Sequence, residues 1–521
     1  MIKRTLYNLT LIMSFSFITP LLSQTWSGAK LFKSNTESTF NSVVHLNDQV
    51  LAGGHFQGSI ILGSDTLYSQ SSSAGIIVNL DTNLIVNQFI SFQSSQTCRI
   101  KKLVKANDGI YFAGEFKGAL YTSIDTLNSF GNYDVFWGKL TESLEVESIH
   151  QIKGLGSDII NDLYYYDQSF YLIGTTSSPI VFTPYGFQEN NQGVLDAFIY
   201  QYDLINQIES GRIIGGPGDD EGKGITVNQF GVHVLISYSD SMVTNTTLNS
   251  LAEHDLAIIK LTDDYGFNWS KSVGSYEDDH GMDIALDGEG NCYFTGDFRS
   301  TVVLDGIGLT AYGSSDAILG QISSNGTLQW LNQIGWNGDD IGNAIHIKNK
   351  IIALGGSFAG SAMINEDLTS TNSISNAYIA FYRTDGRYWK TLYSVGANTN
   401  AKVLDLCWTD RMLFGVGQAK GSPSFANHNT YASNFSALIN RIDYASIPYY
   451  DWSNESATPV DIVLSIEEFH ALIDKQDDFQ LFNNLGSLIY QPSSSSIQTI
   501  SSGVYFMKTE YNKITRLLLL N

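Results

Sequence analysis

Across residues 271–330 the chain alternates short apolar runs with polar turn residues. Three runs have β-strand character: GMDIALD at 281–287, NCYFTGDF at 291–298 and DAILGQI at 316–322. A fourth begins near Trp330. Gly288 and Gly290, then Gly306 and Gly308, then Asn325 and Gly326 separate them. Four short strands between glycine and asparagine turns are the content of one propeller blade. One blade cannot bury both its faces alone, so copies of the pattern are expected elsewhere.

The copies are present. Gly296 of FTGDF has counterparts at Gly54, Gly114, Gly174, Ser237, Gly356 and Gly417, with successive offsets of 60, 60, 63, 59, 60 and 61 residues. Asp316, which opens DAILGQI, has counterparts at Ala74, Asp134, Asp196, Asp255, Asn376 and Ser436. Two independent markers in step predict seven copies. The fourth is the weakest, with serine in place of the marker glycine. The predicted fold class is all-β: a seven-bladed β-propeller over residues 24–445, followed by a small C-terminal β-sandwich.

The ends of the chain refine this picture. Residues 1–23 combine Lys3 and Arg4, an apolar run and a small residue, Ser23, and read as a secretory signal peptide. No later run is long and apolar enough to span a bilayer. Residues 24–34 read as a lone strand, with Trp26 in the place of Trp269, Trp330 and Trp389. The last copy, ending at Asp443, lacks a fourth strand. Strand 26–34 is therefore expected to complete the seventh blade and close the ring. Residues 446–460 read as a linker. Residues 461–521 carry strand runs at 479–484, 487–491, 503–509 and 514–520.

Composition excludes some functions. The formal net charge of −23 opposes nucleic acid and anionic lipid, so no nucleic-acid partner is expected. Cys98, Cys292 and Cys407 fall at different places within their copies and fit no metal spacing, which predicts buried free thiols. The aromatic cluster Tyr164, Tyr165, Tyr166, Phe170 and Tyr171 reads as core packing, with a carbohydrate platform as the alternative.

The runs GDDxG, GNxYxTGxF and DAxxxxL within residues 211–345 resemble the bacterial β-propeller repeat family often labelled SBBP. That resemblance implies a secreted propeller and no particular ligand. Residues 461–521 resemble the sorting domain of the type IX secretion system, through FQLFNNLGSLIYQ with Gly486 in its turn and ISSGVYFMKTEYNKITRLLLLN. No clear Pro-Asn-Pro entry motif precedes it. The resemblance implies the type IX machinery as a partner, and release or attachment at the outer cell surface.

Chemistry is sparse. Paired acids precede the first strand of three central copies: Asp219 and Asp220, Asp278 and Asp279, Asp339 and Asp340. Each pair sits in a glycine turn, where aspartate caps the backbone; calcium is the alternative reading and the only cofactor the sequence suggests. No histidine pair has metal spacing, no G-x-S-x-G elbow occurs, and no catalytic set is assignable. The expected function is a secreted or cell-surface scaffold for binding or adhesion to an extracellular glycan or protein. A secreted glycan hydrolase or lyase is one alternative, and a structural surface component is the other.

Overall fold

The computed structural model describes residues 26–443, apart from 179, 183–187, 365–366, 371–372, 397 and 427, and the backbone of five strands between 461 and 520. The expected signal peptide and linker lie outside the described residues. The chain divides into two compact units, Met1–Tyr444 and Ala445–Asn521.

The first unit is all-β and propeller-like. Consecutive antiparallel strands form four-strand sets, the first being Glu37–Leu46, Gln49–Gln57, Ala74–Asp81 and Val86–Ser94. Six such sets follow in order through Tyr388–Tyr393 and beyond, each offset by one repeat. The last has only three strands of its own, Asn400–Trp408, Met412–Gly421 and Ala432–Asp443. Its fourth is the N-terminal strand Gly28–Phe32, antiparallel to Ala432–Asp443 with Gly28 opposite Arg441 and Phe32 opposite Ala437. The expected clasp is present. Trp26, however, precedes the strand. It is buried edge-on against Phe425 at 5.1 Å, and Gly28 holds the register that Trp269 holds in its own sheet. Trp269 and Trp330 instead cover the turn glycines Gly326 and Gly386 of the next set, and each donates its Nε1–H to a carbonyl there.

The marker glycine has a steric cause. Every first strand carries a β-bulge at one place: after Phe40, Ile100, Ile160, Gly222, Gly281, Gly342 and Val403. The bulge turns a first-strand carbonyl toward the second strand. A Cβ on Gly54, Gly114, Gly174, Gly296, Gly356 or Gly417 would overlap that carbonyl oxygen. In the fourth copy the glycines lie on the first strand instead, Gly222 and Gly224, and Ser237 Oγ accepts the Gly281 N–H at 3.1 Å.

Consecutive sets are joined by one repeated backbone contact. At six junctions a residue at or next to the start of the first strand donates its N–H to the carbonyl just before the preceding third strand: Cys98 to Ser73 at 3.0 Å, Asp158 to Tyr133 at 2.7 Å, Asp220 to Leu195 at 2.8 Å. The same contact follows for Asp279 to His254 at 2.9 Å, Asp340 to Ser315 at 3.0 Å and Ala401 to Ser375 at 3.3 Å. Glu37 pairs in parallel with Phe435 at the seventh junction, and Asn400–Trp408 packs back on Glu37–Leu46. Each set adds a small hairpin between its second and third strands, as at Ser59–Leu62 with Asp65–Tyr68. These hairpins and the links to the next set share one side of the unit, called here the hairpin face. Apolar side chains fill the layers between sets, among them Phe112, Phe198, Phe294 and Tyr378.

The described strands of the second unit form one five-stranded sheet. Its order is Asp461–Ser465, Ile514–Leu520, Gly503–Thr509, Phe479–Asn483, Leu488–Tyr490. The first pair is parallel and the others antiparallel. Asp461–Ser465 was not among the strands expected from the sequence pattern.

Candidate functional site

The bulges aim one residue from each first strand toward a common centre. Immediately after the bulge stand Ser42, Lys102, Asp162, Gly224, Asp283, Ala344 and Asp405. Five of the seven are polar, and they bind one another across the sets. Lys102 Nζ lies 3.3 Å from Asp405 Oδ1 and 3.4 Å from Asp162 Oδ1. Asp405 Oδ2 accepts the Ser42 hydroxyl and the Val43 N–H, each at 2.8 Å, and Ser42 Oγ accepts the Leu103 N–H at 3.1 Å. Asp162 Oδ2 accepts the Ile225 N–H at 3.0 Å, and Asp283 Oδ2 the Ile345 N–H at 2.8 Å. These aspartates thus satisfy backbone donors freed by the neighbouring set's bulge.

Lys102 is the cation of this centre. Burial alone would lower its ammonium pKa, but Asp405, Asp162 and Asp283 outweigh burial and hold it above the usual lysine value. Burial pushes Asp283 up, partly offset by Lys102. A lysine among three carboxylates occupies the electrostatic role a bound cation would have. Sequence reasoning missed this cluster. Its members differ from copy to copy and lie about 60 residues apart.

A second cluster lies on the hairpin face, where the fourth and fifth sets meet. His280 Nδ1 is 3.6 Å from Asp297 Oδ2, and His254 Nδ1 is 3.9 Å from Asp278 Oδ1. The two imidazoles stack with centroids 5.9 Å apart. Glu221 and Lys223, next to them on a first strand, form an ion pair. The hydrogen bond to Asp297 raises the His280 pKa against the opposing effect of burial. This is an imidazole held by a carboxylate, with a second carboxylate in electrostatic reach. It can bind polar groups or exchange protons.

Large apolar side chains left in solvent concentrate on the same face. Tyr276 is 82% exposed, and Tyr68, Tyr121, Phe130, Tyr312 and Tyr431 are also exposed. The opposite face carries few, such as Ile85 and Ile205. It holds two polar cavities instead. One of about 820 Å³ is lined by Asp48, Asn79, Lys105 and Glu142, and one of about 580 Å³ by Asp287, Tyr293, Lys348 and Asp385.

The paired acids separate in space. Asp219, Asp278 and Asp339 keep solvent contact, whereas Asp220, Asp279 and Asp340 are fully buried. Asp220 Oδ2 accepts the Gly216 N–H at 2.6 Å and Asp279 Oδ2 the Ser275 N–H at 2.5 Å, the geometry of turn caps. Among the described residues no group of three or more His, Cys, Asp or Glu is placed to hold a metal ion. Phe170 is fully buried, and Tyr164, Tyr166 and Tyr171 pack half-buried against the fourth set, so the aromatic cluster is core. Cys98, Cys292 and Cys407 are buried free thiols, and burial pushes Cys407 up to about 12.

No family model matches the chain, and no curated protein matches it. Solved structures align with it at low similarity. The Dos1 propeller aligns at TM-score 0.39 and 8% identity, over 79% of this chain and 95% of that one. A puromycin hydrolase mutant complexed with PGG aligns at 0.39 and 9%, over 76% and 55%. The Pyrococcus horikoshii acylaminoacyl peptidase aligns at 0.38 and 8%, over 92% and 64%. The chain thus spans less than two thirds of either hydrolase.

Proposed function

We propose that the chain is a seven-bladed β-propeller with a small C-terminal β-sandwich, and that it works as a secreted or cell-surface binding scaffold. Its ligand is an extracellular glycan or protein, taken on the hairpin face. The observation that carries this reading is the concentration of exposed aromatic side chains on that face, beside the His254–His280 cluster. Tyrosines on short hairpins supply flat apolar area with a polar tip, on a rigid frame. The seven bulged first strands, the repeated junction contact and the N-terminal fourth strand support the blade count. The type IX sorting resemblance of residues 461–521 supports export through that machinery.

A glycan array on the purified protein tests the binding reading. Tyr276→Ala with Tyr312→Ala should lower array binding about tenfold or more, a loss in keeping with truncation of aromatic anchors. Ile85→Ala with Ile205→Ala should leave it unchanged. Equal loss from both pairs, or binding kept by the tyrosine variant, would contradict the assignment of the face. The hydrolase or lyase reading rests on His280, Asp297 and Glu221. It predicts glycan turnover that Asp297→Asn abolishes.

A further inference from the structure

The internal repeat serves as an alignment of seven sequences, and one pair of positions varies together. The residue opening each third strand faces the next set's first-strand residue that donates the junction N–H. At four consecutive junctions both are aspartate: Asp134 with Asp158, Asp196 with Asp220, Asp255 with Asp279, Asp316 with Asp340. At the other three neither is: Ala74 with Cys98, Asn376 with Ala401, Ser436 with Ser38. Turn capping does not explain this. The Phe130, Leu251 and Tyr312 N–H groups each donate to the aspartate four residues on, with no need of a partner across the junction.

All eight aspartates are 0–1% exposed. On six of them the capping bonds leave an oxygen over. Asp134 Oδ1 and Asp158 Oδ2 have no partner, nor do Asp196 Oδ1, Asp220 Oδ1, Asp255 Oδ1 and Asp316 Oδ1. At two of the junctions the carboxyls of the pair close on one space. A Cβ on Gly335 would lie 2.5 Å from Asp316 Oδ1 and 2.8 Å from Asp340 Oδ2. A Cβ on Gly215 would overlap Asp196 Oδ1 and lie 2.9 Å from Asp220 Oδ2. Glycine leaves room for both carboxyls at these two junctions, whereas Lys153 holds the same place at the Asp134–Asp158 junction. A lysine partly offsets the first pair, whereas the charged neighbours of the second and third add negative charge. Lys153 faces the first, Asp219 the second, and Asp278 and Asp297 the third. Asp316 is held by the Tyr312 and Gly313 N–H groups and by Gln333.

We propose that each of these four junctions is latched by one proton shared between its two aspartates, and that the ring loosens when that proton is lost. Two bare carboxylates in a buried gap repel at low dielectric, and one proton removes the repulsion. Burial pushes Asp134 and Asp279 up to about 6, and Asp220 and Asp255 up to about 7. Burial raises Asp158, Asp196 and Asp316 as well. An unfolded aspartate titrates near ~4. Between there and about 7 the folded pair holds a proton that the unfolded chain has lost, so stability falls as pH rises through this window. His55 and His233, held down to about 3 by burial, and His45, His150 and His346, also lowered by burial, oppose the trend only below about pH 6.5, where unfolded histidine charges. His280, held above the ordinary histidine value by Asp297, loses stability in the same direction above about 6.5, so the aspartates are read from the difference between the native chain and a variant that keeps every histidine.

The test compares the full chain with a variant carrying Asp134→Asn, Asp196→Asn, Asp255→Asn and Asp316→Asn, the change that Asn376 makes naturally. Urea unfolding of both is followed from about pH 4.5 to 8.5, across the shifted range, and the histidines common to both cancel in the difference. The native folding constant should fall with rising pH, by up to about tenfold per pH unit for each ionising pair. The variant should lose most of the native slope. Equal slopes would overturn the proposal. Should the variant fail to fold, the native protein decides: the infrared band of protonated carboxyl groups must be present at about pH 6 and gone by about pH 9, on either side of the shifted range. Its absence at the lower pH, or full recovery of stability by added calcium at the higher pH, would replace the shared proton with a cation.

Discussion

At the residue scale, repeated identities follow from what surrounds them. The marker glycine recurs because a bulge carbonyl fills the space of its Cβ, and this made the repeat legible in the sequence. Gly356→Ala would drive a methyl into the Ile341 carbonyl oxygen. It should cost ~1–3 kcal/mol or more in urea unfolding, as overpacking does. Gly288→Ala meets no atom within 4 Å and should change stability by less than ~0.5 kcal/mol. The central lysine is the opposite case, a residue present once. Lys102→Met would leave Asp162, Asp283 and Asp405 without their cation. A loss of ~3–5 kcal/mol in the same measurement is expected, because an unpaired buried charge costs more than the pair contributes. Part of that loss should return as pH is lowered toward ~4 and the carboxylates protonate.

At the element scale, strand content was legible and partnership across sets was not. Gly/Asn turns and alternating apolar runs marked the strands, including all four runs expected in the second unit. The acids read as neighbours in sequence, Asp219 with Asp220, have different environments in space. Asp220 belongs with Asp196, 24 residues earlier, because strands of successive sets stack at that spacing. Trp26 was given a place two residues from the one that matters, since Arg441 fixes Gly28 opposite itself and binds Ser27. The clasp strand buries Phe32 and ties both ends: Lys30 Nζ donates to Leu84 O at 2.8 Å, and Arg441 Nη1 to Thr82 O at 2.6 Å. Deleting residues 24–34 should expose the edge of Ala432–Asp443 and two buried aromatic sites. A melting-point loss of roughly 5 °C or more, with concentration-dependent aggregation, is the expected outcome. An unchanged melting point would mean the strand is dispensable.

At the scale of the first unit, its first and last described strands, Gly28–Phe32 and Ala432–Asp443, pair in one sheet, and the proposed ring rests on that pairing. The repeat fixes the number of first strands. It does not fix closure, which depends on a pairing between residues about 400 positions apart. The most direct test is a cross-link at that seam. Leu31 and Leu438 are directly opposed, so a double variant, Leu31→Cys with Leu438→Cys, places two thiols within disulfide reach across the strands. The three native cysteines are buried and do not compete. On mild oxidation of the folded protein, peptide mass spectrometry should recover the 31–438 disulfide in nearly all molecules, with a raised melting point. Absence of that disulfide in folded protein, or linkage of position 31 to a native cysteine of another set, would contradict closure by the N-terminal strand.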